Sequence, residues 1–365
     1  MTKPLIIFAT SLVNENEVWR NGLFQNVFLL YELFEELGYK AELYVNNPQE
    51  LKAGSSMNRY KLFNLNSLSD PTVKIYAVIE VGLNCGVQVQ SAFRAKGAKI
   101  IKLYLGNILN IDTEFSTYPG TMFPHHVQSK LDRIWTSPHY KVNMEYARVL
   151  NHLKIPTDIA PYVWSPRFIK NDMFAVEPLN TDNKRGFTII EPTISFQKSA
   201  FIPLMIAEMY YRRHPDAVDR VTIISGDRLA ANPYFNETIK GQLTLVKNGL
   251  VDFLPRMNLP DVVKKWPSNI VISHQITNEL NYIALEHLYM RFPFVHNSTA
   301  FCEAGYYYAS DDIVGGCQAI EKAVNHWSTI TNYETATNKL LDRYSLGNSI
   351  IRKNWKQLLR AIASD

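Results

Sequence analysis

The stretch from Asn269 to Asn297 limits most severely what this chain can fold into. It reads as a short apolar strand from Asn269 to Ser273, a polar loop, a helix from about Leu280 to Met290, a tight turn at Pro293 and a second strand entering His296 and Asn297. Strand, helix and strand in that order form the crossover unit of an α/β sheet, because parallel neighbours need such a connection. The loop from Gln275 to Asn281 carries no long apolar side chain except Ile276 and Leu280, so its amides are free to face a ligand. With the positive end of the following helix behind them, such amides favour a diphosphate. Glu286 stands about one turn into that helix, and a carboxylate there accepts hydrogen bonds from the two hydroxyls of a ribose. Together these parts read as a nucleotide-diphosphate site. The alternative is that Glu286 is a solvated helix residue of an ordinary α/β protein.

The same alternation recurs along the chain. Pro4 to Thr10 is apolar without alternation, as in a buried parallel strand. A helix with a wide apolar stripe follows, closed by Gly38, and Ala41 to Asn46 is the next strand. The segment Trp19 to Asn26 falls at the carboxyl end of the first strand, where open α/β sheets bind ligands. There Gly22 allows close backbone approach, and Asn21, Gln25 and Asn26 offer amides to hydroxyl groups. Equally, Asn21 is a plain helix N-cap and Gly22 merely permissive.

A third strand has Glu80 near its end, a helix spans Gln88 to Lys96, and a fourth strand ends at Gly106 and Asn107. Strand ends make Glu80 and Asn107 site candidates, with structural pairing the plainer account of Glu80. Asp112 to Gln128 lacks periodicity and reads as a loop on the acceptor side; its adjacent His125 and His126 point to different sides of any regular element, which speaks against a metal pair. The strand from Leu131 carries Thr136, Ser137 and His139 at its end. Pro156, Pro161 and Pro166 stiffen a connector, polar sequence continues to Lys184, and the pattern then restarts: a strand from Gly186, a loop ending in Lys198, a helix from Phe201 to Arg213, and a strand ending in Gly226. Arg256 follows a later strand. The last helix is amphipathic through Ile351, Trp355, Leu358, Leu359 and Ile362; a membrane-surface role is its competing assignment.

At 365 residues the chain is long for one domain and suited to two. The expected division is 1–170, 171–348 and a C-terminal helix over 349–365 that crosses back to the first domain. No run of about 18 apolar residues is present, which argues against a membrane span, and the opening residues read as a first strand and not a signal peptide. Three scattered cysteines, Cys85, Cys302 and Cys317, point to a reducing compartment and no structural zinc; the expectation is cytoplasmic, the host cytoplasm if the protein is phage-encoded. The net charge of +4 lies in the first half, with 18 Lys and Arg against 14 Asp and Glu up to Lys170 and 20 against 20 beyond it. That imbalance is a weak signal for an anionic partner of the first half.

Residues Leu285 to Val295 resemble the C-terminal domain of GT-B glycosyltransferases, in which one Glu opens the loop, a second follows after seven residues, and a Pro-bearing strand comes next. Glu286 matches the second acid, and either Asn278 or Glu279 takes the place of the first. The order of strand, loop with a basic residue, helix, His214-Pro215-Asp216 turn and strand with Gly226 is similar to the same family, which by position implies Lys198 on the donor diphosphate. The Arg often found before that Lys is absent, so the resemblance implies compensation by helix amides or by Arg256. Trp19 to Asn26, Trp135 to His139, Tyr162 to Pro166 and Asn281 to Glu286 also resemble a poorly described family of bacterial and phage GT-B-like proteins.

The resemblance implies an α/β fold of GT-B type, two Rossmann-like doubly wound parallel-sheet domains facing across a cleft. It implies a metal-independent glycosyltransferase using a nucleoside diphosphate sugar, UDP type first, as substrate and no cofactor. Lys198 would be catalytic, with Glu80, Glu17 or His139, or Glu15, as a base if the reaction inverts. Donor and sugar contacts would come from Gly22, Asn21, Gln25, Asn107, Gly226, Arg256, Asn278, Glu279, Leu280, Asn281 and Glu286. The acceptor is either DNA with hydroxymethylated bases or a cell-surface glycan. A non-catalytic sugar-nucleotide binder and a GT-B-like epimerase are the other classes.

Overall fold

The computed structural model describes residues 3–11, 18–19, 22–46, 59–118, 130–151, 153–179 and 184–364. The chain divides into two compact units, one of Met1–Ser165 with Arg343–Asp365 and one of Pro166–Asp342.

The first unit runs β1 (Leu5–Ala9), α1 (Gly22–Glu36), β2 (Lys40–Tyr44), β3 (Ala77–Glu80), α2 (Val87–Arg94), β4 (Lys99–Tyr104), α3 (Ile108–Thr117), β5 (Arg133–Thr136), α4 (Val142–Asn151) and β6 (Thr157–Ile159). The six strands form one sheet in the order β2-β1-β3-β4-β5-β6, with every adjacent pair parallel. A parallel sheet is covered on both faces, so its strands must be apolar without alternation; Ile6, Ile7, Phe8 and Ala9 are accordingly all buried, as is every residue of β3. The strand order reverses between β1 and β3, and Glu80 ends β3 at that point.

The second unit runs β7 (Arg185–Ile189), α5 (Phe201–Arg213), β8 (Val218–Ile224), α6 (Asp227–Ala230), α7 (Thr244–Lys247), β9 (Val251–Leu254), α8 (Leu259–Lys265), β10 (Ile270–Ile272), α9 (Tyr282–Tyr289), β11 (Phe294–His296), β12 (Tyr306–Tyr307), α10 (Ile313–Ala323) and α11 (Ile330–Tyr344), whose last residues pass into the first unit. Its parallel sheet has the order β12-β11-β10-β7-β8-β9. From β7 the chain builds outward through β8 to β9, then returns to the other side of β7 with β10. The order thus reverses between β7 and β10, and in such sheets ligands bind beyond the carboxyl ends of the strands at the reversal.

The final helix, α12 (Ser349–Ala361), belongs to the first unit. Asn348 caps it by accepting from Ile350 N at 2.9 Å. Trp355 is fully buried, edge-on to Phe34 at 5.2 Å and to Trp135 at 5.5 Å. Ile351, Trp355 and Leu359 are thus spent on the core of their own unit, while Leu358 is half-buried and Ile350 exposed.

The first residues of one expected loop, Asp112 to Thr117, are helical. The stretch from Asp112 begins inside α3, where Asn107 is the N-cap and accepts from Asn110 N at 3.3 Å. Only Ile108 of this helix is buried, so it carries no apolar stripe for periodicity to reveal. His125 and His126 lie outside the described residues.

Candidate functional site at the carboxyl ends of β7 and β10

Two residues past β7, the chain places Glu191 at the reversal point, 1 % exposed. Its Oε1 accepts from Ser273 Oγ at 2.5 Å and from His274 N at 3.3 Å, and Gln275 Nε2 donates to both carboxylate oxygens at 3.2 and 3.0 Å. Ser273, His274 and Gln275 are the first residues after β10. A single carboxylate therefore ties the loop after β7 to the loop after β10. A further bond, Ile276 N to Gln197 O at 3.1 Å, joins the same two loops beside Lys198.

Lys198 lies in the same loop after β7, and its charge acts on this carboxylate. Burial draws its ammonium down from the ordinary lysine range, Glu191 opposes that shift, and Arg256 from the loop after β9 adds to it. Burial pushes the Glu191 carboxyl up, against the hydrogen bonds from Ser273 and Gln275 and the charge of Lys198. On the other side, His274 Nδ1 pairs with Tyr308 Oη at 2.8 Å, and its Nε2 is 3.1 Å from Asp311 Oδ1. Burial lowers the His274 imidazole, with Asp311 opposing.

The backbone is strained along this edge. Thr193, Ser225, Thr277 and Ser310 take φ values of 46°, 58°, 50° and 47°, and they sit in the loops after β7, β8, β10 and β12. Each such residue costs on the order of 1–3 kcal/mol, and this kind of strain collects at functional sites. The loop after β10 is nonetheless well held. Asn278 Nδ2 bonds Gln275 Oε1, Ser298 Oγ donates to Glu279 O at 2.9 Å, and Asn281 caps α9 by accepting from Ile283 N at 3.1 Å. Leu280 is buried. Glu286 follows in α9 and is only 3 % exposed, so it is not a solvated helix residue. Gly226 is packed so tightly that a Cβ there would lie 2.9 Å from Ile223 O.

Asn278 joins Glu191 through Gln275, while Lys198 acts on Glu191, and Arg256 on Lys198, through charge; Glu191 itself is not among the candidates read from sequence. The signal available was a carboxylate closing the Phe187–Ile190 run at the end of β7. Ser273, His274, Asn297 and Tyr308 were also missed, and their role depends on contacts with residues far along the chain.

The remaining candidates lie in the first unit. Gly22 opens α1, and Gln25 is buried in that helix with Nε2 donating to Val18 O at 3.0 Å. Glu80 is fully buried: Oε1 accepts from Cys85 N at 2.9 Å and Gln90 Nε2 at 2.8 Å, and Oε2 is 3.6 Å from Lys102 Nζ. Asn107 is buried as the cap of α3, and His139 is exposed. Asn21, Glu15 and Glu17 lie outside the described residues. Among the described residues no group of three or more His, Cys, Asp or Glu is arranged to hold a metal, and no helix is long and apolar enough to cross a membrane.

Solved structures share this architecture over their whole length. The trehalose 6-phosphate synthase of Burkholderia multivorans is 12% identical with a TM-score of 0.62, covering 100% of this chain and 99% of that one. A glycosyltransferase from Rickettsia africae is 12% identical with a TM-score of 0.59, covering 100% of both chains. The sucrose-phosphate synthase of Thermosynechococcus elongatus is 10% identical with a TM-score of 0.54, covering 99% of each. The fold is therefore the GT-B fold of glycosyltransferases. No curated protein matches the sequence closely enough to count as a relative. The family described as a protein of unknown function, DUF2827, matches residues 7–359, and the chain belongs to that family.

Proposed function

We propose that the protein is a glycosyltransferase that moves a sugar from a nucleoside diphosphate sugar, UDP type first, to an acceptor hydroxyl. The observation that carries this is that Glu191 and Gln197 join the loop after β7, which carries Lys198, to the loop after β10 at the reversal point of a Rossmann-ordered sheet. A leaving nucleoside diphosphate gains negative charge in the transition state, and a fixed ammonium stabilises it there. Arg256 adds positive charge, the amides of residues 277–281 cradle the phosphates, those of Gln275 and Ile276 being engaged by Asn297 and Gln197, with Asn278 and Glu279 beside them, and Glu286 accepts from the ribose hydroxyls. No metal is required of this arrangement, because the amides and cations supply the charge. The first unit would supply acceptor-side groups from Gly22, Asn21, Gln25 and Asn107, with Glu17, Glu80 or His139 as the base of an inverting reaction.

The acceptor follows from charge. The first unit carries 21 Lys and Arg against 15 Asp and Glu, which favours an anionic acceptor in the cytoplasm. DNA with hydroxymethylated bases fits this chemistry, and an acidic glycan is its competitor; DNA binding that weakens steeply with salt supports the former, and a flat response removes it. The test of the main reading is mass spectrometry of products formed from pooled nucleotide sugars and candidate acceptors. Donor binding without turnover by any pair would make the protein a sugar-nucleotide binder instead.

A further inference from the structure

Glu191 presents a charge problem for any donor site built on Lys198. The carboxylate is buried, and four groups converge on it: Ser273 Oγ, His274 N, Gln275 Nε2 and, electrostatically, Lys198. The other charged or titratable groups facing the cluster are Arg256, which acts on Lys198, Tyr308, which feels the charge of Glu191, and the pair His274 and Asp311. In the empty site the carboxylate accepts hydrogen bonds from Ser273, His274 and Gln275 and feels the charge of Lys198. A diphosphate held by the loop after β10 brings its negative charge beside Glu191. A second negative charge beside a buried carboxylate favours its protonated form, at the cost of a factor of about ten in affinity per pH unit above the point where the proton is bound.

We propose that Glu191 is a positioning residue that holds the Ser273–Gln275 segment in the empty site and takes up one proton from solvent when the diphosphate of a sugar nucleotide binds. This deepens the functional reading above and rests on it. The protonated carboxyl still accepts from Ser273 and His274 N, and its new O–H can donate to a phosphate oxygen, so the two loops stay tied while the charge is removed. The site thereby accepts an anion without the Arg that often precedes such a lysine.

The test is calorimetric titration of UDP-glucose, dTDP-glucose, GDP-mannose and ADP-glucose into the full chain, in two buffers of different ionisation enthalpy, from neutral to alkaline pH. The diphosphate diester of these probes has no proton to gain in that range. The expected result is an uptake approaching one proton per bound donor, with affinity falling about tenfold per pH unit on the alkaline side. Glu191→Gln, a mimic of the protonated acid, is expected to bind with no uptake and a flat profile. Should that variant not fold, the wild-type protein decides alone: uridine, lacking phosphate, is expected to bind without uptake. Donor binding by the wild type with no uptake, or the same uptake in Glu191→Gln, overturns this inference and leaves the proposed function standing. Failure of every sugar nucleotide to bind overturns both.

Discussion

Asn297 and the backbone of Gln275 form a two-way pair: the Asn297 carboxamide accepts from Gln275 N and donates to Gln275 O, each at 2.9 Å. Only a carboxamide side chain offers an acceptor and a donor side by side in one plane. Gln275 is also the residue whose side chain reaches both oxygens of Glu191, so the end of β11 fixes the loop that Glu191 grips. Asn297→Asp puts a carboxylate oxygen against Gln275 O and removes the donor. The loss expected is roughly 1–3 kcal/mol, the cost of leaving a buried acceptor unsatisfied. Calorimetric titration should show it as sugar-nucleotide binding weakened by about fivefold or more; wild-type affinity in the variant would mean that the loop is positioned by other contacts.

Lys198 and Glu286 should separate kinetically. In the proposed reaction Lys198 would meet charge that grows in the transition state, so Lys198→Ala is expected to lower kcat on the order of 10²-fold with a smaller effect on donor Kd. Glu286 would contact the nucleoside part in the ground state and the transition state alike, so Glu286→Ala is expected to weaken donor binding and leave kcat nearly intact. Steady-state rates together with equilibrium titrations read both quantities. Identical kinetics for both variants and the wild type would remove these two residues from the site.

Much of the fold was legible in the sequence because parallel strands buried on both faces cannot alternate. Stretches such as Ile6 to Ala9 or Ile270 to Ile272 announce themselves, and the helices α5 and α12 end where their apolar stripes end. By contrast α3 escaped notice, since a helix with one buried residue leaves no period to read. The place of Lys198 between a strand and a helix was legible, as β7 and α5 show. Glu191 was not, because what makes it central is a set of partners 82 to 84 positions away, which no local pattern encodes. The choice between Asn278 and Glu279 was likewise open in sequence; the Asn278 side chain bonds Gln275, and Glu279 is held through its carbonyl by Ser298.

Three histidines make the second unit sensitive to acid. His287, His296 and His326 are at most 2 % exposed, and burial pushes each imidazole down to about 4. Their bonds suit the neutral ring: His296 Nε2 donates to Ala304 O at 2.8 Å while Nδ1 accepts from Ser298 N at 3.2 Å, and His326 Nε2 donates to Arg291 O at 2.9 Å. Unfolded histidine titrates near 6.5, so below that pH the unfolded chain binds protons that the folded unit refuses until about pH 4. The stability held above pH 6.5 is lost as pH falls through this window, by up to about 1.4 kcal/mol per histidine and pH unit. Thermal unfolding followed against pH should show the second unit melting earlier below pH 6.5 and no histidine-linked change above it. A profile flat between pH 6.5 and pH 4 would contradict the neutral assignment.

Glu80 is the candidate base that the geometry binds most firmly into its own unit. Its Oε1 serves Cys85 N and Gln90 Nε2, and Oε2 lies 3.6 Å from the ammonium of Lys102, which is 4 % exposed and also bonds Asn84. Burial draws the Lys102 ammonium down, and Glu80 is the main charge opposing that. Removing one partner of a buried pair strands the other, so Glu80→Ala is expected to cost roughly 3–5 kcal/mol, and the double variant Glu80→Ala with Lys102→Met to recover most of it. Chemical denaturation measures both. A base would behave differently: Glu80→Gln would unfold like the wild type, the double variant would recover nothing of the turnover, and activity alone would be lost. Recovery of stability in the double variant therefore assigns Glu80 to holding the loop after β3, while its absence, with turnover lost in a fully stable Glu80→Gln, returns the residue to the reaction.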